Sequence, residues 1–347
     1  MASEHVYGDV EGRALWFAAP RKAEFRPEII PPPGPGKVRV RTIASARSHG
    51  TEMLVYRGEV LPDTTLDLPT LAGGYGFPIK YGYAAVGRVL DLAPGVAGLA
   101  PGDLVFVHHP HQSAFTVPSE MPVRLPDGLD PLSGLFIANL ETAVNIVHDA
   151  SIRLGETAVV FGQGVVGLLV ARLLKLAGAG RVLTVEPVEA RRKLSLEMGM
   201  DEAMEPGENL AERIFTATNG RGADVTVEVS GSPEALKSAV NVTADEGTVV
   251  VASWYGTKPV ALDLGGRFHR GRLRLRSSQV GRVPPELAPR WDHARRMETV
   301  LDLLPWMQPE RLVSHRFPFE DAPAAYRLVD ESLGETVQVV LDYDEGG

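Results

Sequence analysis

The stretch Val159–Gly167 reads VVFGQGVVG, an apolar run followed by glycines at 162, 164 and 167 and then by Leu168-Leu169-Val170-Ala171. Glycines at this spacing between a strand and a helix suit the binding of a pyrophosphate. Gly162 permits the tight turn, Gly164 lets the backbone approach the phosphates, and Gly167 lets helix pack on strand. The anion then rests on unpaired N–H groups at the positive end of the helix dipole, which places Gln163, Val165 and Val166 beside the ligand. A second strand, Arg181–Val185, ends in Glu186, 24 residues after Gly162. An acid at about this distance accepts hydrogen bonds from the adenosine ribose hydroxyls and repels a 2′-phosphate, so the spacing selects NAD over NADP. Arg191 and Arg192 on the following helix either soften that preference or form its solvated face. The plainer reading of the whole stretch is a glycine-rich turn with an ordinary surface glutamate.

The elements that must hold this turn follow from the pattern on either side of it. The chain has 347 residues, enough for two domains, with 44% hydrophobic and 23% charged residues, which are globular values. Short strands are predicted over 14–17, 23–30, 37–43, 83–90, 104–108 and 114–117, separated by Pro/Gly punctuation such as Pro31 to Gly36. Many short strands with turns between them suit a compact β-rich barrel or sandwich. From about residue 139 strand and helix alternate, with helices over 141–150, 188–198, 209–218 and 233–242 and strands at 224–230, 248–253 and 273–278. Such alternation predicts a parallel, doubly wound sheet. Helices over 292–304 and 319–330 and a closing strand over 336–343 follow, and the tail is expected to return to the first domain. The expected division is 1–138, 139–282 and 283–347.

Composition excludes several chemistries. The chain has no cysteine, which rules out disulfides, thiolate zinc sites, iron–sulfur clusters and a cysteine nucleophile. A net charge of −9 disfavours nucleic acid and anionic membranes as partners. No apolar run is long enough to span a bilayer, and no signal peptide is evident, so a cytoplasmic location is expected.

With these motifs in view, the chain resembles the medium-chain dehydrogenase/reductase superfamily over nearly its whole length. The resemblance rests on GPGKVRVRT at 34–42, HGTEMLVYRG at 49–58, YGYAAVGRV at 81–89, PGDLVFV at 101–107, FGQGVVGLL at 161–169 and VEP at 185–187. SWYG at 253–256, FHRGRLRLRSSQVG at 268–281 and RWDHARRM at 290–297 are similar to a zinc-free branch that includes bacteriochlorophyllide hydroxyethyl dehydrogenase-like proteins. The resemblance implies an α/β fold made of a GroES-like β-rich catalytic domain and a Rossmann domain, with an active site in the cleft between them. It also implies a homodimer paired along the last Rossmann strands. Thr142, Ser230, Gly231, Ser253 and Trp254 fall at the family's cofactor-contact positions.

The departures from the family pattern concern the metal. Zinc-dependent relatives carry cysteine where His49 stands, and His-Glu where this chain has Tyr83-Ala84 after Gly82. Their third ligand comes from the segment around Ala138 to Glu141, which offers no thiol here. The four-cysteine lobe is also missing, and the expectation is no zinc.

Hydrogen-bond donors must then polarise the substrate oxygen. Thr51 matches the hydroxyl that relays the substrate proton in zinc members, or is a β-branched cap residue. His49 is suited to acid/base work by its reference pKa, or fills the space the metal left. Tyr83 can donate to a carbonyl oxygen, or is a packed aromatic. Glu141 could orient either of these, or simply favour a helix start.

His109 and His111 would share one face of a strand, where a metal site with His49 and Glu52 is conceivable. The preferred reading lines the substrate pocket with His111, together with Lys80. Arg270, Arg272, Arg274 and Arg276 alternate, which puts them on one strand face, solvated or at a dimer edge.

The expected activity is oxidation of a secondary alcohol, cyclic or polyhydroxylated, or reduction of its ketone. Reduction of an activated C=C bond, as in enoyl and quinone reductases, and dinucleotide binding without turnover are the alternatives.

Overall fold

The computed structural model describes residues 8–66, 70–71, 73–332, 334 and 336–344. The chain forms two compact units, Met1–Ala138 with Leu301–Gly347, and Asn139–Val300. The first opens with β1 (Val10–Ala19), β2 (Lys22–Ile30), β3 (Lys37–Arg47), α1 (Thr51–Arg57), β4 (Ala85–Leu92), β5 (Leu104–Val107), β6 (Ala114–Pro118), β7 (Val123–Arg124) and α2 (Pro131–Gly134). Then come α3 (Ile137–Ala150), β8 (Thr157–Phe161), α4 (Val165–Leu176), β9 (Arg181–Val185), α5 (Glu189–Glu197), β10 (Glu202–Met204) and α6 (Leu210–Ala217). The second unit continues with β11 (Ala223–Glu228), α7 (Pro233–Val242), β12 (Thr243–Val251) and β13 (Arg274–Ser277). After α8 (His293–Met307) the chain forms β14 (Val313–Pro318), α9 (Ala322–Glu331) and β15 (Gln338–Asp342).

In the first unit β3 is the hub. It pairs antiparallel with β4, β6 and β15, within a seven-stranded sheet ordered β14-β15-β3-β4-β5-β7 with β6 on β3. Its inward Val38 and Val40 pack with Val105, Val107, Phe115 and Val117. The pairing of Val340 with Ala46 brings the C-terminal segment back onto the strand that leads into Ser48. α1, for which the sequence pattern predicts no helix, buries Glu52 to Tyr56 and ends at Gly58, whose left-handed backbone lets its N–H reach Leu54 and Val55 carbonyls.

The second unit is a six-stranded parallel sheet ordered β10-β9-β8-β11-β12-β13. Strand β8 is buried along its full length, as a central strand covered on both faces must be. The strand order reverses between β8 and β11, and the carboxyl ends of strands at such a reversal open a crevice for ligands.

Two expectations are corrected. The second unit ends at Val300 and not at 282. The guanidinium of Arg296 is buried there, donating to Asn145 Oδ1 at 2.6 Å, Glu141 Oε1 at 2.8 Å and the Val280 carbonyl at 2.7 Å, which ties the start of α8 to α3. The arginines from 270 to 276 do not form one strand face either. Arg272 adopts a left-handed φ of 51° and pairs with Glu246, while Arg276 in β13 pairs with Asp149 at 2.8 Å.

Candidate functional site

The glycine turn of the second unit is built by exclusion. Gly162 has φ +96°, and a Cβ there would lie 2.8 Å from the Cα of Ser230. A Cβ on Gly167 would sit 2.0 Å from the Gly162 carbonyl oxygen, so only glycine lets α4 pack this closely on the turn. No atom comes within 4 Å of where a Gly164 side chain would project, which leaves that face of the turn open to a ligand. The first N–H groups of α4, at Val165, Val166 and Gly167, have no intrahelical acceptor. Gln163 turns its side chain inward. Its amide donates to the Gly162 carbonyl at 2.8 Å and accepts from the Ser195 hydroxyl at 3.2 Å.

Glu186 is 3% exposed and held by two backbone amides, Gln163 N–H on Oε2 at 2.7 Å and Val188 N–H on Oε1 at 3.0 Å. Each oxygen keeps a further lone pair for a ribose hydroxyl. The helix beside it is not a solvated basic face. Arg191 is buried, and Arg192 donates its Nη1 to the Glu186 and Pro187 carbonyls at 2.8 and 2.6 Å, with Nη2 3.8 Å from Glu205. After β11 and β12, the Gly231 N–H donates to Ser253 Oγ at 2.8 Å, and Trp254 is 39% exposed. Thr142 is half-buried on α3. Its neighbour Glu141 belongs to this unit too, its Oε1 taking both the Nε and Nη2 of Arg296.

In the first unit, Ser48, His49 and Thr51 follow β3 and open α1, and all three are half-buried. The Ser48 and Thr51 hydroxyls lie close enough to the Tyr83 phenol to bear on its ionisation. Burial, and secondarily the negative charge of Glu52, push that phenol up, so it stays protonated as a donor. Thr51 and Tyr83 are thus brought together, with His49 between the two hydroxyl residues in sequence. Ser48 was not singled out by sequence reasoning, although the run SHGT at 48–51 contains it.

His111 and Lys80 are not free to line a pocket. His111 is 0% exposed, its Nε2 3.1 Å from Glu52 Oε2 and its Nδ1 2.7 Å from Ser45 Oγ. Glu52 Oε2 also accepts from the Tyr326 phenol at 2.7 Å. Lys80 donates to Glu28 and Gln112 at 2.9 and 2.8 Å. Nor do His109 and His111 share a strand face, since they lie in the irregular segment between β5 and β6. His109 stacks on Phe115 at 3.6 Å with Nδ1 on the Pro110 carbonyl, and burial drives its pKa down to about 3.

Zinc does not fit these donors. Among the described residues no three His, Asp or Glu side chains gather as a metal site requires, and the paired Glu52 and His111 are already occupied by Tyr326 and Ser45. The glycine turn and Glu186, by contrast, fit a dinucleotide.

A family model described as zinc-binding dehydrogenase matches residues 165–296. The D-guloside 3-dehydrogenase of Escherichia coli (strain K12) is 27% identical over 330 residues, covering 88% of this chain and 93% of that protein. Among solved structures, an alcohol dehydrogenase of Escherichia coli CFT073 complexed with NADH superposes with a TM-score of 0.78 at 19% identity, covering 96% of this chain and 99% of the other. A protein of Sinorhizobium meliloti 1021 bound to NADP gives a TM-score of 0.78 at 22% identity with the same coverage. The chain is thus similar to zinc-binding dehydrogenases over residues 165–296 and to a D-guloside 3-dehydrogenase over most of its length.

Proposed function

We propose that this chain is an NAD-dependent dehydrogenase that works without zinc on a secondary alcohol, cyclic or polyhydroxylated, or on the corresponding ketone. The observation that carries this reading is the Tyr83 phenol, kept protonated by burial beside the Ser48 and Thr51 hydroxyls, in a chain that has no thiol to offer a metal. The E. coli relative is named for a sugar derivative, which supports a hydroxylated substrate.

The first N–H groups of α4 would hold the pyrophosphate, and Glu186 the adenosine ribose. The Glu186 carboxylate beside the turn would repel a 2′-phosphate, which favours NAD. The nicotinamide, when bound, supplies or takes the hydride. Tyr83 donates to the substrate oxygen and stabilises the charge that develops on it. Because its phenol stays protonated, the proton released by an alcohol is assigned to His49, the imidazole of the run 48–51. Glu141, clamped by Arg296, is assigned no proton transfer.

The same reading includes a homodimer joined along β13, the outermost strand of the parallel sheet, where Leu275 is exposed. A cytoplasmic location also belongs to it; no described helix is long and apolar enough to cross a membrane.

The test is a panel of cyclic and polyhydroxylated alcohols with NAD, followed by NADH absorbance. Turnover of secondary alcohols supports the proposal. Reduction of enones or quinones in its place, or binding of NADH with no turnover of any substrate, contradicts it.

A further inference from the structure

The carboxylate of Glu228 closes β11 and is 0% exposed. Its Oε1 accepts from the Ser230 N–H at 2.7 Å, the Ser230 hydroxyl at 2.6 Å and the Gly231 N–H at 3.0 Å. Its Oε2 accepts from the Tyr255 phenol at 2.6 Å. A buried carboxylate is stable only when its lone pairs are met, and here both oxygens are met by groups from two loops. The loop after β11 supplies Ser230 and Gly231, and the loop after β12 supplies Tyr255. Burial, reinforced by its hydrogen bond to the carboxylate, pushes the Tyr255 phenol up, so it remains the donor of the pair.

The position of this knot gives it a consequence. The β11 loop touches the glycine turn directly, since Gly162 faces the Cα of Ser230. Both therefore border the crevice at the reversal of strand order. Glu186 follows β9, on one side of that reversal, while Glu228 and Tyr255 follow β11 and β12, on the other. An extended dinucleotide with its adenosine ribose on Glu186 and its pyrophosphate on α4 must lay its other half along the β11 and β12 loops.

We propose that Glu228 and Tyr255 are positioning residues that fix these two loops for the nicotinamide half of the cofactor. They act through the backbone they hold, not by contact with the ligand. The inference rests on the dinucleotide reading of the site. It concerns one end of the ligand only, and that makes it separable from a general role in folding.

The experiment is calorimetric titration of the full chain, wild type and Tyr255→Phe, with NADH and with ADP-ribose, which lacks the nicotinamide. Tyr255→Phe keeps the ring that packs on the core of this unit and removes one hydrogen bond to a charged group. The expected result is a rise of about tenfold in the NADH Kd, with the ADP-ribose Kd within about twofold of wild type. Glu228→Gln should show the same asymmetry more strongly. Unchanged NADH affinity in both variants overturns the proposal, and so does equal weakening of both ligands, which would mark a loosened domain. Wild type that binds neither ligand overturns the cofactor reading and this assignment together; wild type that binds both upholds that reading whatever the variants do.

Discussion

In the proposed reaction Tyr83 is the donor to the substrate oxygen, and its replacement is the sharpest probe of a single group. Tyr83→Phe deletes the phenol donor beside Ser48 and Thr51, and should lower kcat by about 10²–10³-fold while leaving the NADH Kd unchanged. Full turnover in that variant would remove the assignment. Glu186→Ala should weaken NADH by about 10- to 100-fold, because two charge-assisted hydrogen bonds to the ribose are lost. It should also narrow the preference for NADH over NADPH, because the carboxylate that repels a 2′-phosphate is gone. Parallel titrations decide this, and equal affinity of wild type for NADH and NADPH would refute the preference. At this scale the sequence was legible where local geometry depends on residues close in the chain, as in the tight turn that Gly162 and Gly167 build. It was not legible for His111 and Lys80, whose partners Glu52 and Glu28 stand 59 and 52 residues away. A histidine beside a distant buried glutamate reads, in one dimension, like a histidine facing a pocket.

The elements carry a steric prediction. Gly167→Ala forces a Cβ to within 2.0 Å of the Gly162 carbonyl, so α4 must back away from the turn. That should cost about 1–3 kcal/mol of stability and raise the NADH Kd by more than about tenfold, measured by thermal melts and titration. A variant that binds NADH like wild type would contradict the packing argument. The strands of the parallel sheet were readable because they are continuous apolar runs, and β8 is buried throughout. By contrast α1 was hidden, since its seven residues span barely two turns and its buried face includes Glu52, a residue type that periodicity counts as polar. The arginine run misled for a related reason. Alternation implies one face only if the backbone is extended, and Arg272 takes a left-handed turn.

For the molecule as a whole, acid sensitivity follows from His109. Its folded pKa, near 3, lies below the ordinary value of 6.5. The unfolded chain therefore binds the proton first as pH falls, and the stability contributed by neutral His109 is present above pH 6.5 and lost progressively below it. Between pH 7 and pH 4 this loss is about 3 kcal/mol. His109→Phe preserves the stacking on Phe115 and should shrink the difference in unfolding free energy between those two pH values by that amount. Denaturant melts at both pH values check it, and an unchanged difference would show that His109 is protonated in the fold. The two-unit organisation was legible from the change of texture near residue 139, whereas the end of the second unit was not. Residues 283–300 belong there through Arg296, whose partners on α3 lie more than 150 positions earlier.

In the proposed reaction protein donors alone polarise the substrate oxygen. Elemental analysis of the purified, active protein, with turnover measured before and after treatment with a strong chelator, tests it most directly. The account predicts metal far below one equivalent per chain and turnover unaffected by chelation. One equivalent of zinc per chain, with activity lost on chelation and restored by added zinc, would contradict it.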